Sequence, residues 1–208
     1  MKYFIAIFIV SLLLLTGCDN KEEKNNDIVN INESNKTSDN TTNYHASSLS
    51  TPVPKEEIMS AFSTPVNYPE ETNRQTNMTL CCNTLNGTVV KAGAEFSFCD
   101  TVGQATPEKG YKEADIFDLD GNIQTGYGGG KCQVSTTLYN AVLAIPTLVV
   151  TERHPHTREV YYVEEGKDAC ISYGGADLKF RNDNDFDIKI YATNNYLTID
   201  VSIAKISY

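Results

Sequence analysis

The 208-residue chain carries 27 acidic against 17 basic side chains, a formal charge of −10 at neutral pH. That length holds one substantial domain with tails rather than two full domains. With no basic patch and so acidic a balance, nucleic acid and an anionic bilayer surface are set aside as partners, and the balance points to no particular substrate.

After Lys2 comes the apolar run "YFIAIFIVSLLLL" and then "LTGC", ending at Cys18. A charged n-region, an apolar h-region and a small-residue cleavage site predict a secretory signal, too short for a membrane span. "LTGC" resembles the bacterial lipobox, which implies that residues 1–17 are a lipoprotein signal peptide and that Cys18 is lipidated. Two acyl chains on Cys18 suffice for stable membrane anchoring. Residues 18–55 are rich in Asn, Ser, Thr, Lys and Glu and show no apolar period. They are expected to form a disordered tether, because they cannot bury enough surface to offset ordering entropy. Residues 56–208 are the expected folded domain.

Within that domain, "EEIMSAFSTPV" is a short helical or extended start. In "NRQTNMTLCCNTLNG", Met78, Cys81, Cys82 and Leu85 recur at three- and four-residue intervals before Gly87, which predicts an amphipathic helix. "TVVKAGAEFSF" alternates around Ala-Gly and predicts a hairpin. A second hairpin is expected at "ADIFDLDGNIQTG", around Asp120-Gly121. "CQVSTTLYNAVLAI" places Val134, Leu138, Ala141, Val142 and Ile145 on one helical face, closed by Pro146. Beyond it, "TLVVTE", "REVYYV", "ACISY", "DLKFRN", "FDIKIYAT" and "YLTIDVSI" are read as strands, with a tight turn at Asn194-Asn195. The expected fold is α+β, a mostly antiparallel sheet with two or three helices.

Of six cysteines, Cys18 is assigned to lipid, leaving Cys81, Cys82, Cys99, Cys132 and Cys170. An odd number in an exported chain points to a reactive thiol. The other four form disulfides, with three possible connectivities, or stay as buried thiols, which their apolar settings favour. Cys-x-x-Cys is lacking and His154 and His156 are only two apart, so these two histidines with Cys132 are a generic set, and neither a metal nor a cofactor is expected.

Cys132 stands apart. It follows three glycines and Lys131 and opens a helix, whose first amide N–H groups and positive end favour thiolate. Those amides, with Gln133 as a second donor, suit an oxyanion. The alternative is a small residue packed behind a glycine turn. A thiolate also needs a base and an orienting group, which "ERHPHTREVYYVEEGKDACISY" offers in His154, His156, Asp168 and Arg153.

"GYGGGKCQVSTTLYNAVL", "ERHPHTREVYYVEEGKDA" and "YGGADLKFRN" resemble the VanW domain. "TLNGTVVKAGAEFSF" and "VGQATPEKGYKEA" match it in the same order upstream. The resemblance implies a peptidoglycan L,D-transpeptidase that makes 3-3 cross-links through a thioester on Cys132. It implies His156 as base, since His156 falls on the family's Arg-x-x-His-Ser-like position with Arg153 as the arginine and Thr157 for the serine. Asp168 is the expected orienting group and Asp177 its competitor. Gly130, Gln133, Arg153 and Tyr162 complete the expected substrate- or oxyanion-binding set. The implied partners are peptidoglycan stem peptides and, through Cys18, the membrane; the chain is expected to act as a monomer on the outer face of the cytoplasmic membrane. Two other readings use the same residues: a non-catalytic peptidoglycan-binding or glycopeptide-resistance accessory lipoprotein, and a cysteine peptidoglycan hydrolase.

Overall fold

A computed structural model of the chain describes residues 53–117 and 121–208. The expected signal peptide, Cys18, nearly all of the tether and Asp120 lie outside the described residues. The fold is α+β. Its largest sheet runs, in spatial order, β1 (Lys55–Pro65), β9 (Thr198–Ser207), β8 (Ile188–Asn194) and β2 (Val89–Val90), all antiparallel. A three-stranded sheet orders β3 (Glu95–Ser97), β7 (Lys179–Asn182) and β6 (Leu148–Glu152), and β4 (Glu113–Phe117) pairs with β5 (Ile123–Tyr127) as a separate hairpin. The described helices are α1 (Thr72–Leu85), the short α2 (Phe98–Val102) and α3 (Lys131–Leu143), with a 3-10 turn at Pro107–Lys109.

The sheet forms where the period is two. Ile188, Ile190 and Ala192 on β8 face inward with Ile199, Val201 and Ile203 on β9, and Ile190 sits opposite Ile203. Helices α1 and α3 cover this apolar face, α1 against β8 and α3 against β9 and β1. On α1, Met78, Cys81, Cys82 and Leu85 are buried at helical spacing; on α3, Val134, Leu138, Ala141 and Val142 are fully buried. Each buried side chain of valine or leucine size contributes about 1.5–3 kcal/mol.

Polar bonds then fix how α3 lies. Ser60 Oγ donates to the Ala141 carbonyl at 2.8 Å, and the Thr64 and Thr137 hydroxyls pair at 2.8 Å. Gln133 Nε2 donates to the Pro65 carbonyl at 2.9 Å and to Thr64 Oγ1 at 3.2 Å. These bonds run from the first turn of α3 almost to its end, so the helix can neither rotate nor slide along β1.

"EEIMSAFSTPV" takes the extended of its two expected forms, as the edge strand β1. Several other expected elements take another form. "TVVKAGAEFSF" makes the expected turn, with Ala94 N–H to Lys91 O at 3.0 Å, but its arms part: β2 pairs with β8 and β3 with β7. The fully buried Asn182 separates them, its amide reaching the Val90, Lys91 and Phe186 carbonyls. "REVYYV" is not a strand. Val160 and Tyr162 are both buried, so the alternation reported burial correctly, but no ladder partner accompanies it. "ACISY" keeps only one bridge, between His154 and Cys170.

Candidate active site

The glycines before Cys132 are a steric requirement. A Cβ on Gly129 would meet the Asp115 carbonyl oxygen at 2.5 Å and the Ala114 Cβ at 3.0 Å. Gly130 caps α3 at φ 106°, in the left-handed region, and a Cβ there would meet Met78 Cγ at 2.6 Å. Buried Asn77 on α1 completes the clamp, donating to the Gly129 and Lys112 carbonyls and accepting the Lys112 N–H. The turn is thus pressed between the β4–β5 hairpin and α1, and α3 starts at a fixed point with Cys132 as its second residue.

The polar face of α3 holds the next component. Ser135 Oγ donates to the Ala169 carbonyl at 2.6 Å, the Ala169 N–H donates to Thr136 Oγ1 at 2.9 Å, and Asn140 Nδ2 reaches the Lys167 carbonyl at 2.7 Å. The stretch 167–169 is therefore strapped to the helix that carries the thiol. Asp168 on this strap accepts both the ring Nδ1–H and the backbone N–H of His156 on Oδ2, each at 2.6 Å. Its Oδ1 accepts from Arg153 Nη2 at 2.5 Å, and Arg153 Nε donates to the Asp168 carbonyl at 2.6 Å. With Nδ1 engaged, Nε2 is the imidazole nitrogen left for Cys132. The two sulfurs of Cys132 and Cys170 and a His156 ring nitrogen all lie within 4.8 Å of one another.

The charges are set by these contacts. The Cys170 thiol hydrogen-bonds the Cys132 sulfur and, with the His156 ring and the Ile171 amide, holds Cys132 well below the ordinary thiol range against the opposing effect of burial. Conversely, the Cys132 sulfur beside Cys170 pushes that thiol up, as does burial. Burial disfavours a charged His156, but Cys132 and Asp168 outweigh it and raise the imidazole above its usual value. Burial also works against an ionised Asp168, yet the His156 N–H groups and Arg153 keep it low. The directions at Cys132, His156 and Asp168 all favour a thiolate–imidazolium pair backed by a carboxylate, which is what nucleophilic attack on a carbonyl needs.

Residues 73–204 match the family described as VanW like protein. The chain belongs to the VanW family. Among curated relatives, the uncharacterized protein YoaR of Bacillus subtilis is 44% identical over 110 residues, 53% of this chain and 36% of that protein. The vancomycin B-type resistance protein VanW of Enterococcus faecalis is 36% identical over 129 residues, 58% of this chain and 45% of that protein. This VanW chain thus spans less than half the length of either relative over the matched region. No solved structure gives a significant match.

Set against the VanW pattern, the expected site residues divide. Cys132, His156 and Asp168 come together. Gly130 lies beneath them as the helix cap. His154 is directed elsewhere: its Nε2 meets Glu152 Oε1 at 3.0 Å on the surface. Asp177 serves the α2 start instead, accepting from Ser97 Oγ and the Cys99 and Leu178 amides. Arg153 clamps Asp168.

Gln133 is a correction. Its side chain is fully buried and bonded to β1 and to Arg74 Nη2, so it does not point at the thiol. The start of α3 is also less open than a bare helix end, since Lys131 N–H and Gln133 N–H already donate to the Gly128 and Gly130 carbonyls. Lys131 is buried, with Nζ on the Gly103 carbonyl at 2.7 Å and over the Tyr111 ring. Tyr162 lies behind the site, its hydroxyl bonded to Thr136 and its pKa raised, chiefly by burial.

Two neighbours were not expected. Cys170 follows the strap's last residue, where the sequence predicts no more than a packed or disulfide-linked cysteine. Phe117, at the end of β4, stands edge-on to the His156 ring at 6.3 Å. The described cysteines are all unpaired thiols, and burial raises Cys82 and Cys99 to about 12, so these two behave as small apolar residues.

Proposed function

We propose that the chain is a cell-wall acyltransferase, an L,D-transpeptidase that forms 3-3 peptidoglycan cross-links through Cys132, tethered outside the cytoplasmic membrane by lipid on Cys18. The observation that carries this reading is the placement of Cys132 at the start of α3 within 4.8 Å of a His156 ring nitrogen whose partner nitrogen is held by Asp168. The vancomycin-resistance name of the enterococcal relative supports a wall substrate.

In the reaction, the Cys132 thiolate attacks the carbonyl between the third and fourth residues of a tetrapeptide stem. An Sγ–C bond forms, and the oxyanion develops at the positive end of α3. The C–N bond then breaks, and the imidazolium Nε2 gives its proton to the departing D-alanine amine. An amine of a neighbouring stem attacks the thioester, returns a proton to His156 and restores the thiolate. Asp168 and Arg153 keep the ring oriented throughout.

The test is acylation by a carbapenem followed by peptide mass analysis, together with muropeptide analysis of cells carrying Cys132→Ala. An adduct on Cys132 and loss of 3-3 dimers are expected. No adduct and unchanged dimers would sink the assignment; cleaved stems without dimers would show that water, not an amine, resolves the acyl-enzyme.

A further inference from the structure

Cys170 takes no part in the acyl-transfer scheme, yet it faces the nucleophile. Cys132 Sγ, Cys170 Sγ and a His156 ring nitrogen lie within 4.8 Å of one another, drawn from a helix start, the residue after the strap and the loop before it. A tetrahedral zinc ion with bonds of about 2.0–2.3 Å keeps its ligands about 3.3–3.8 Å apart, a spacing that small side-chain adjustments reach from here. The surroundings suit a metal ion. His156 donates its other ring N–H to Asp168 Oδ2 at 2.6 Å, the carboxylate–histidine arrangement that orients metal-bound imidazole. The Ile171 N–H points to the Cys132 sulfur at 3.5 Å, a donor that offsets thiolate charge.

We propose that Cys132, Cys170 and His156 bind a soft divalent cation of the zinc class, leaving its fourth position open. Two sulfurs and an imidazole select soft ions, whereas magnesium and calcium require oxygen ligands, and the Asp168 carboxylate is turned to Nδ1. Binding displaces two protons, one from the Cys170 thiol and one from His156 Nε2, and two thiolates then balance the dication. The bound ion takes the electron pair that Cys132 uses for attack, so occupancy stops acylation. That consequence rests on the transpeptidase reading; the binding itself does not.

The experiment uses the full chain, reduced and stripped of metal, titrated with Zn²⁺ against a chromophoric chelator and separately with Co²⁺. One ion per chain is expected, with a thiolate-to-cobalt charge-transfer band. Cys170→Ser, which keeps the shape but not the soft ligand, is expected to weaken binding at least about tenfold. His154→Ala is expected to leave it unchanged. Absence of binding, or binding that Cys170→Ser leaves intact, overturns the proposal. Should Cys170→Ser fail to fold, alkylation mapping of the unaltered chain decides: Zn²⁺ must protect Cys132 and Cys170 together, and failure to do so overturns it equally. Zinc binding combined with unchanged muropeptides in Cys132→Ala would discard the transpeptidase reading alone.

Discussion

Asp168→Asn tests whether the strap governs the chemistry of the thiol. In the folded chain the carboxylate takes two His156 N–H groups on one oxygen and Arg153 on the other, and its side chain is only 10% exposed. An amide is neutral, and if its NH₂ faces the ring it donates to Nδ1 and leaves a proton on Nε2, the wrong form for accepting the thiol proton. A hydrogen bond to a charged partner contributes about 1.5–3 kcal/mol. Removing that preference for imidazolium lowers the thiolate–imidazolium population by roughly 10- to 150-fold. The assay is the second-order rate of iodoacetamide alkylation at Cys132 across pH, with a chelator present and the modified peptides mapped. Cys82 and Cys99, at about 12, stay silent in the neutral range. The native chain is expected to react fully at neutral pH with an inflection well below that of an ordinary thiol, and Asp168→Asn is expected to lose at least about tenfold in rate at pH 6. Equal rates in the two proteins would refute the coupling.

Asp168 also links stability to acid. Its folded pKa lies below the usual 3.8, so its contribution is complete above that value and is lost as pH falls through the lowered one. Melting curves between pH 5 and pH 2 are therefore expected to fall more steeply for the native chain than for Asp168→Asn; parallel curves contradict the linkage. Gly129→Ala forces a methyl group to within 2.5 Å of the Asp115 carbonyl, and a loss of about 1–3 kcal/mol in chemical denaturation is expected. Gly175→Ala, whose Cβ would be 3.5 Å from the nearest atom, is the comparison and is expected to stay within about 0.5 kcal/mol. Gln133→Ala removes two of the bonds between α3 and β1, those to Thr64 Oγ1 and the Pro65 carbonyl, with an expected cost of about 1–3 kcal/mol. The alkylation rate of its folded fraction is expected to match that of the native chain, whereas a role at the oxyanion would slow carbapenem acylation.

Much of this was legible because local pattern and tertiary demand coincide. The glycine run, the buried face of α3 and the alternation of β8 and β9 each follow from one steric or hydrophobic rule acting along the chain. Cys132 stood out by its neighbours. His156 and Asp168 were singled out through family resemblance, since eleven residues of loop lie between them and the strap's bonds to Ser135, Thr136 and Asn140, which set Asp168 beside the helix of Cys132, leave no local pattern. The failures have a common cause. Gln133 sits beside the nucleophile in sequence but one helical step around the axis, which turns it to β1. Cys170 has no sequence signal of its own, because its proximity to Cys132 arises from the bridge to His154 and the strap alone. The arms of "TVVKAGAEFSF" read as one hairpin because nothing local announces that Asn182, far downstream, will divide them.

The edge strand β1 has a mechanical consequence. The chain passes from residues 1–52 into β1, and β1 runs antiparallel to β9 from Lys55 opposite Ser207 to Pro65 opposite Thr198. A pull applied through the preceding residues reaches the domain at Lys55, so the β1–β9 ladder carries that load before any other element. Those same residues, Ser60, Thr64 and Pro65, anchor α3. Any force strong enough to draw β1 out also removes the fixture that aims Cys132, so the thiol loses its aim at the same moment that the sheet loses its edge.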